Sequence, residues 1–473
     1  MKNYFLCAGI TAALAFPISA YPSDSNDVSE LKQMLLHMKK EYEARIGALE
    51  ARIQDAEEKA AVAEIKAASD AQIQVEAKKT PADRRGDSAF NPAISLVVQG
   101  NAASYSRNPD SWTLPGFQVG GEAGLKPEGL SLTETELTAS ANVDDWFFAQ
   151  ITIGLHEEEG STEADLEEAF VDTLNLPAGF GLRIGRFFAE TGYTNTKHTH
   201  AWDFADVSLT SQAFLGQQYR DDGLRLTWLA PTDTFLEFGM EALRGERFPT
   251  GGDGNKLLGG AQNYFARLGA DVGVSNSFRV GLSHMRAEPK DRQAGHAHAG
   301  HADEIFSFAG DSNLTALDFV WKWAPNGDAR TRNFVFQTEY FHRDEDGMVT
   351  FTDDTGEAIL PYDGTQQGFY AQGVYQFMPR WRAGFRYDKL WSDNNLRVAS
   401  NTSGEADDDI LDESGLLGGH DPWRWTLMAD YSHSEFSRLR VQYARDHSRP
   451  GDADDQFQLQ YIMTLGAHGA HKY

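Results

Sequence analysis

Residues 457–465 read FQLQYIMTL. Phe457, Leu459, Tyr461, Met463 and Leu465 share one side of an extended chain, and Gln458, Gln460 and Thr464 share the other, because successive side chains of a strand point to opposite faces. The pattern recurs through residues 89–473. In RLRVQY, Leu439, Val441 and Tyr443 oppose Arg438, Arg440 and Gln442. In LDFVWKW, Leu317, Phe319, Trp321 and Trp323 oppose Asp318 and Lys322, and in FLEFGMEAL, Leu236, Phe238, Met240 and Ala242 oppose Glu237 and Glu241. No apolar run in this stretch is long enough for a membrane helix. A chain of this kind must pair its ribbons edge to edge and find a home for a continuous greasy face.

A soluble sandwich also alternates, so the connections decide. The pattern predicts sixteen strands near 93–105, 129–142, 146–157, 164–174, 180–188, 223–230, 234–243, 263–272, 278–287, 313–323, 330–343, 367–378, 381–392, 423–432, 436–446 and 456–466. Tight turns such as VDD (143–145), LPAG (176–179) and MPR (378–380) alternate with connections of up to about thirty residues. Short turns at one rim and long loops at the other predict an all-β transmembrane barrel of about 16 antiparallel strands, embedded in outer-membrane lipid. Trp146, Trp228, Trp321 and Trp381 fall near the short turns, and Trp391, Trp423 and Trp425 near the long loops. That sorting is expected of two aromatic girdles. The mean hydropathy of −0.48 fits a wall whose inner face is wet.

The amino-terminal part is of another kind. Residues 1–20, MKNYFLCAGITAALAFPISA, have a basic start, a short apolar core and small residues at the end, as in a secretory signal peptide. Cys7, the one cysteine, lies within it, so a processed chain would have no disulfide or thiolate metal site. Over residues 21–77, Val28, Leu31, Leu35, Met38, Tyr42, Ile46, Leu49, Ile53 and Ala56 recur at heptad spacing. This predicts an α-helical coiled coil in the periplasm, whose narrow stripe calls for partner helices and hence a homotrimer. Residues 78–88 form a polar linker, and 89–473 form the barrel.

The formal charge is −28. Much of it falls in expected outer loops: five acids in 156–165, seven in 344–366 and eight in 393–422. Such a vestibule concentrates cations and gives no basic surface for nucleic acid. The alternation aims Arg183, Arg225, Arg382, Arg386, Arg438, Arg440, Glu237 and Glu241 into the lumen as pore-lining charges. They either tune selectivity or pair across strands to stiffen the wall.

Residues 189–222, AETGYTNTKHTHAWDFADVSLTSQAFLGQQYRDD, form a long loop with unusual apolar content. Trp202, Phe204, Leu209, Phe214 and Leu215 need packing partners, and folding into the barrel supplies them. His198, His200, Asp203 and Asp206 would then sit at the constriction. Their donor types suit zinc or a similar ion, but ordinary polar contacts are the simpler expectation.

The block GRFFAETGYTNTKHTHAWDFADVSLTSQAFLGQQYRDDGLRLTWLAPTD (185–233) and the tail YIMTLGAHGAHKY (461–473) resemble a family of bacterial outer-membrane proteins encoded beside zinc-uptake transporters. Its members are described as zinc-regulated porins or receptors. A coiled coil ahead of a barrel also resembles certain trimeric porins. The resemblance implies passage of zinc or a zinc chelate across the outer membrane of a Gram-negative bacterium, and a functional link to a zinc-uptake transporter. Energy-coupled transport is not expected, since residues 89–473 are too few for twenty-two strands with long loops and show no plug domain ahead of them.

In AGHAHAGHADE (294–304), His296, His298 and His301 with Asp303 present three or four nitrogen and oxygen ligands on a glycine-flexed outer loop. The alternatives are a zinc-capture loop and an ordinary polar loop. No catalytic constellation or nucleotide-binding glycine motif stands out, so an enzyme is not expected. The sequence points to a porin-like channel for passive diffusion of small solutes, zinc or other divalent cations among them, with no required cofactor and Zn2+ at most transported or loosely held. The alternatives are a zinc-capture receptor with little conductance and a structural outer-membrane tether.

Overall fold

The computed structural model describes residues 92–158, 161–253, 259–293, 305–353, 356–397 and 414–466. The expected signal peptide, coiled coil and linker, and the residues His296, His298, His301 and Asp303, all lie outside the described residues.

The strands are β1 (Ala93–Tyr105), β2 (Gly129–Asn142), β3 (Phe147–Glu158), β4 (Ser161–Thr173), β5 (Phe180–Phe188), β6 (Arg220–Leu229), β7 (Phe235–Leu243), β8 (Ala261–Val272) and β9 (Asn276–Ala287). A two-residue strand β10 (Arg292–Gln293) precedes β11 (Ile305–Trp323), β12 (Asn333–Asp353), β13 (Gly356–Met378), β14 (Trp381–Leu396), β15 (Trp423–Ser434), β16 (Ser437–His447) and β17 (Asp454–Gly466). Each long strand pairs antiparallel with its neighbours, β9 pairing past β10 with β11. β1 closes the cylinder: Leu96 pairs with Leu137 of β2 on one side and Leu465 of β17 on the other. The result is a sixteen-strand barrel with β10 as a short addition beside β11, and closure leaves no edge unpaired.

Its faces are inverted relative to a water-soluble fold. On β17, Phe457, Leu459 and Tyr461 are 49, 40 and 45% exposed, while Gln456, Gln458 and Gln460 are 1–2% exposed. Leu226, Phe238, Leu268, Leu282, Phe385, Leu427 and Leu439 continue the outward apolar band. Leaving one such side chain in water forgoes about 1.5–3 kcal/mol, so a belt of them specifies a hydrocarbon surround. Aromatics gather at both rims. Near the short turns Trp381 packs on Tyr431 at 4.8 Å, and the Trp228 indole donates to the Ala178 carbonyl. Near the long loops Trp423 stacks on His447 at 4.1 Å.

Two expected loops are largely strand. β3 and β4 run to Glu158 and from Ser161, so the 156–165 connection shrinks to a two-residue tip. β12 and β13, of 21 and 23 residues, absorb most of 344–366. The alternation continues there with a charged outer face: Asp344 and Asp346 are exposed while Glu345 is buried. About ten residues suffice to cross the membrane, so these strands continue beyond the hydrocarbon and their outer face turns acidic.

Candidate functional site

Residues 189–219 fold into the barrel as the apolar content requires. Their centre is a seven-residue helix, α1 (Leu209–Leu215), buried at every position. The Ser208 hydroxyl caps it by accepting from the Ser211 amide at 3.1 Å, and the Leu209 amide donates to Asp388 Oδ1 on β14 at 3.0 Å. Gly216 ends it with φ 61°, where a Cβ would come within 2.4 Å of the Gly120 carbonyl; glycine is needed there for both reasons. Phe214 stacks on Phe341 at 5.5 Å and meets Phe117 edge-on at 5.6 Å.

Phe117 belongs to a second inward element that the sequence reading missed. Residues 106–128 bring Trp112, Leu114 and Phe117 into the same cluster as Leu209, Phe214 and Leu215. The Gln212 side chain joins the two loops by accepting from the Gly124 amide at 3.0 Å. The long-loop half of the lumen therefore holds an apolar core of its own. The signal was the run of Trp112, Leu114, Phe117, Val119 and Leu125 in a connection with nothing local to bury it.

The pore-lining charges point inward as expected, and most of them pair. Strand register sets Arg382 beside Asp430 and Asp430 beside Arg440. Arg382 bonds Asp430 at 2.6 Å and Asp203 of the inner loop at 2.8 Å. Arg386 and Arg424 each reach the Asp206 carboxylate at 2.8 Å, and the Arg424 guanidinium also donates to the Val207 carbonyl. Arg440 donates to the Trp202 carbonyl at 2.8 Å, and Arg438 lies beside Arg382 and Arg440. Burial pushes the Asp206 carboxyl up, but Arg386 and Arg424 outweigh it and, with Gln442 donating, hold it at about 2. Asp203 and Asp206 are thus anchors on the β14–β16 wall. They do not form one ligand group with His198 and His200, because arginines of β14 and β15 take up Asp203 and Asp206 while the histidines meet glutamates of β2 and β4.

On the other side, Arg183 pairs with Asp172 at 2.7 Å, and Arg225 pairs with Glu241 at 2.6 Å and with Glu190 of the inner loop at 2.9 Å. Glu237 holds Arg267 at 3.1 Å. Here the packing is looser, and a cavity of about 1580 Å3 runs along β2–β9 under the inner loop. Eight carboxylates and six lysines or arginines line it, together with His198 and His200.

The histidines meet the wall at four glutamates. His198 Nδ1 is 3.1 Å from Glu136 Oε2 and 3.3 Å from Glu167 Oε2, and its Nε2 is 3.0 Å from Glu168 Oε2. His200 Nδ1 is 2.8 Å from Glu136 Oε1, and the Thr199 hydroxyl donates to Glu134. Burial would push the His198 imidazole down, but the negative charge of Glu136, with Glu167 and Glu168 close by, lifts it well above the usual histidine range. Strict alternation would send one of Glu167 and Glu168 into lipid. Thr152 pairs with Glu168 while Ile153 pairs with Leu166, so Glu167 is the extra residue of a bulge and both carboxylates face the lumen. A second irregularity sets Gln99 opposite Glu134 and Gly100 opposite Leu132. It turns Leu132 to the outer face, with Leu137, although it has the same parity as the inward Glu134 and Glu136. These glutamates escaped the sequence reading because a bulge breaks the period on which that reading depends.

No family model matches the chain. An uncharacterized protein of Aquifex aeolicus is 29% identical over 415 residues, spanning 81% of this chain and 80% of that protein. Among solved structures, the DcaP outer-membrane channel of Acinetobacter baumannii superposes with a TM-score of 0.47 at 12% identity, covering 79% of this chain and 97% of that one. OmpT of Vibrio cholerae in its trimer form gives 0.45 at 9% over 79 and 99%, and an anion-selective porin from Comamonas acidovorans gives 0.43 at 10% over the same shares. Superpositions this loose carry no functional argument, and the barrel stands on its strand register.

Proposed function

We propose that the protein is a porin-like outer-membrane channel in which an inner loop confines small solutes to a water-filled path along β2–β9. The observation that carries this reading is the 1580 Å3 cavity lined by opposed charges inside a wall whose outer face is apolar. Carboxylates outnumber cations on the lining by eight to six, which favours a weak preference for cations, divalent ions such as zinc included. A homotrimer assembled through the amino-terminal heptads, and a working partnership with a zinc-uptake transporter, belong to the same proposal and rest on the sequence.

The test is conductance of purified protein in planar bilayers, followed by the reversal potential under a salt gradient. Discrete conductance steps with a cation-selective reversal potential are expected. A silent barrel would remove the channel reading, and an anion-selective one would remove the cation preference. The apolar cluster that fills the long-loop half of the lumen favours one rival, a capture receptor with little conductance. That rival predicts ligand binding in a protein that gives no steps.

A further inference from the structure

The structure assigns a divalent-cation site of nitrogen and oxygen donors to Glu136 Oε2, Glu167 Oε2 and His198 Nδ1, where the inner loop meets β2 and β4, and we propose that it takes zinc or a chemically similar ion. The three donors lie within 4.8 Å of one another. A tetrahedral ion about 2.0–2.2 Å from each donor separates them by about 3.3–3.5 Å. His198 Nδ1 already stands 3.1 and 3.3 Å from the two carboxylate oxygens. Imidazole with carboxylate is a donor set that suits zinc better than calcium or magnesium.

Two further observations point to an ion. Glu167 Oε2 is buried without a hydrogen-bond partner on a side chain 7% exposed, and His198 Nδ1 has no aligned bond despite its two close carboxylates. Glu134 and Glu136 lie beside this oxygen, and a single imidazolium offsets only part of the carboxylate charge gathered there. In addition, the rest of the imidazole is arranged as metal-bound histidines usually are. His198 Nε2 is held at 3.0 Å by Glu168 Oε2, which keeps a proton on that nitrogen, so an ion need displace only the Nδ1 proton to take the lone pair facing Glu136 and Glu167. His200 holds the other Glu136 oxygen at 2.8 Å.

The room for the site comes from Gly154 on β3, which pairs with Glu136 of β2. A Cβ at this position would come within 2.6 Å of Glu167 Oε1. Glu136, Glu168, His198 and His200 line the large cavity, so a fourth coordination position is open to water or a passing solute. A bound ion would also tie the inner loop to two strands of the wall. The inference deepens the cation preference proposed above but does not depend on conduction, because binding is read on purified protein.

The experiment titrates Zn2+ calorimetrically into the full chain in detergent, in a His296→Ala/His298→Ala/His301→Ala background that removes the outer-loop histidines, with Co2+ absorption reporting nitrogen coordination. One ion per chain is expected in that background. Affinity should fall by at least about tenfold in Glu167→Gln and in His198→Gln, and the Co2+ bands should vanish in His198→Gln. Gly154→Ala retains every donor and displaces Glu167, so it should weaken binding in a barrel that still shows heat-modifiable migration. No binding in the background, or equal affinity in all three variants, overturns the site. A silent bilayer together with intact Zn2+ binding would leave the site standing and remove only the channel.

Discussion

Replacing Asp206 with alanine should loosen the inner loop from the wall without unfolding the barrel. The carboxylate takes Arg386 and Arg424 at 2.8 Å each and Gln442 at 2.7 Å. Both guanidinium groups are on side chains 1–2% exposed. Removing one partner of a buried ion pair costs about 3–5 kcal/mol. The low end applies, since Arg386 keeps Asp388 at 3.1 Å and Arg424 keeps the Val207 carbonyl at 2.8 Å. At about 1.4 kcal/mol per factor of ten, a loss of about 3 kcal/mol raises the undocked population roughly 10^2-fold. Hydrogen exchange can read this directly. The Ala205 amide donates to Gln442 Oε1 at 2.8 Å and the Leu209 amide to Asp388 Oδ1 at 3.0 Å, so both should exchange about a hundredfold faster in D206A. Amides of β17 should be unchanged, and Asp206→Asn, which keeps an acceptor, should fall between. Exchange at Ala205 and Leu209 within threefold of wild type would show that the ion pairs do not hold the loop.

Three further outcomes follow from the same geometry. Because the Asp206 carboxyl is held at about 2 in the docked loop against an ordinary value of 3.8, its contribution to docking, roughly 2 kcal/mol, is complete above pH 4 and is lost as pH falls toward 2; wild-type exchange at Leu209 should accelerate over that window and D206A should not. Leu459→Arg on the lipid face should destabilise the barrel by about 2–4 kcal/mol in urea titrations in liposomes, whereas Gln458→Arg on the lumen face should cost clearly less; equal losses would contradict the assignment of faces. Arg292→Ala removes a guanidinium that bonds Glu345 at 2.5 and 2.9 Å and Gln118 at 3.2 Å. The barrel should then lose heat-modifiable migration at a lower temperature, by about 3 kcal/mol of the buried-pair type, and an unchanged transition would contradict that role.

The positions of the strands were legible because both of their signals are local: a period of two along each ribbon, and turn residues between ribbons. The four glutamates were not legible. Glu167 faces the lumen only because β4 carries one more residue than β3 at that point, and such a mismatch is a property of the pair of strands, not of either sequence. His198 and His200 could be picked out, but the carboxylates they meet lie thirty or more residues earlier, on strands that the inward fold of the loop brings near, while Asp203 and Asp206 meet arginines. The acidic ends of β12 and β13 read as loops since their outer face turns polar where the hydrocarbon ends. Periodicity persists there, but the apolar signal that marks a strand does not.

The inner loop is fastened to the two arcs of the wall in different ways. Along β14–β16 its backbone and carboxylates are bonded to arginines that have almost no contact with water, while along β2–β9 Glu190 bonds Arg225 and His198 and His200 meet glutamates at the border of the cavity. The two arcs of the cylinder therefore answer to different demands. Substitutions on the first should surface as changes in how firmly the loop is docked, and substitutions on the second should alter the docking and the lined space together.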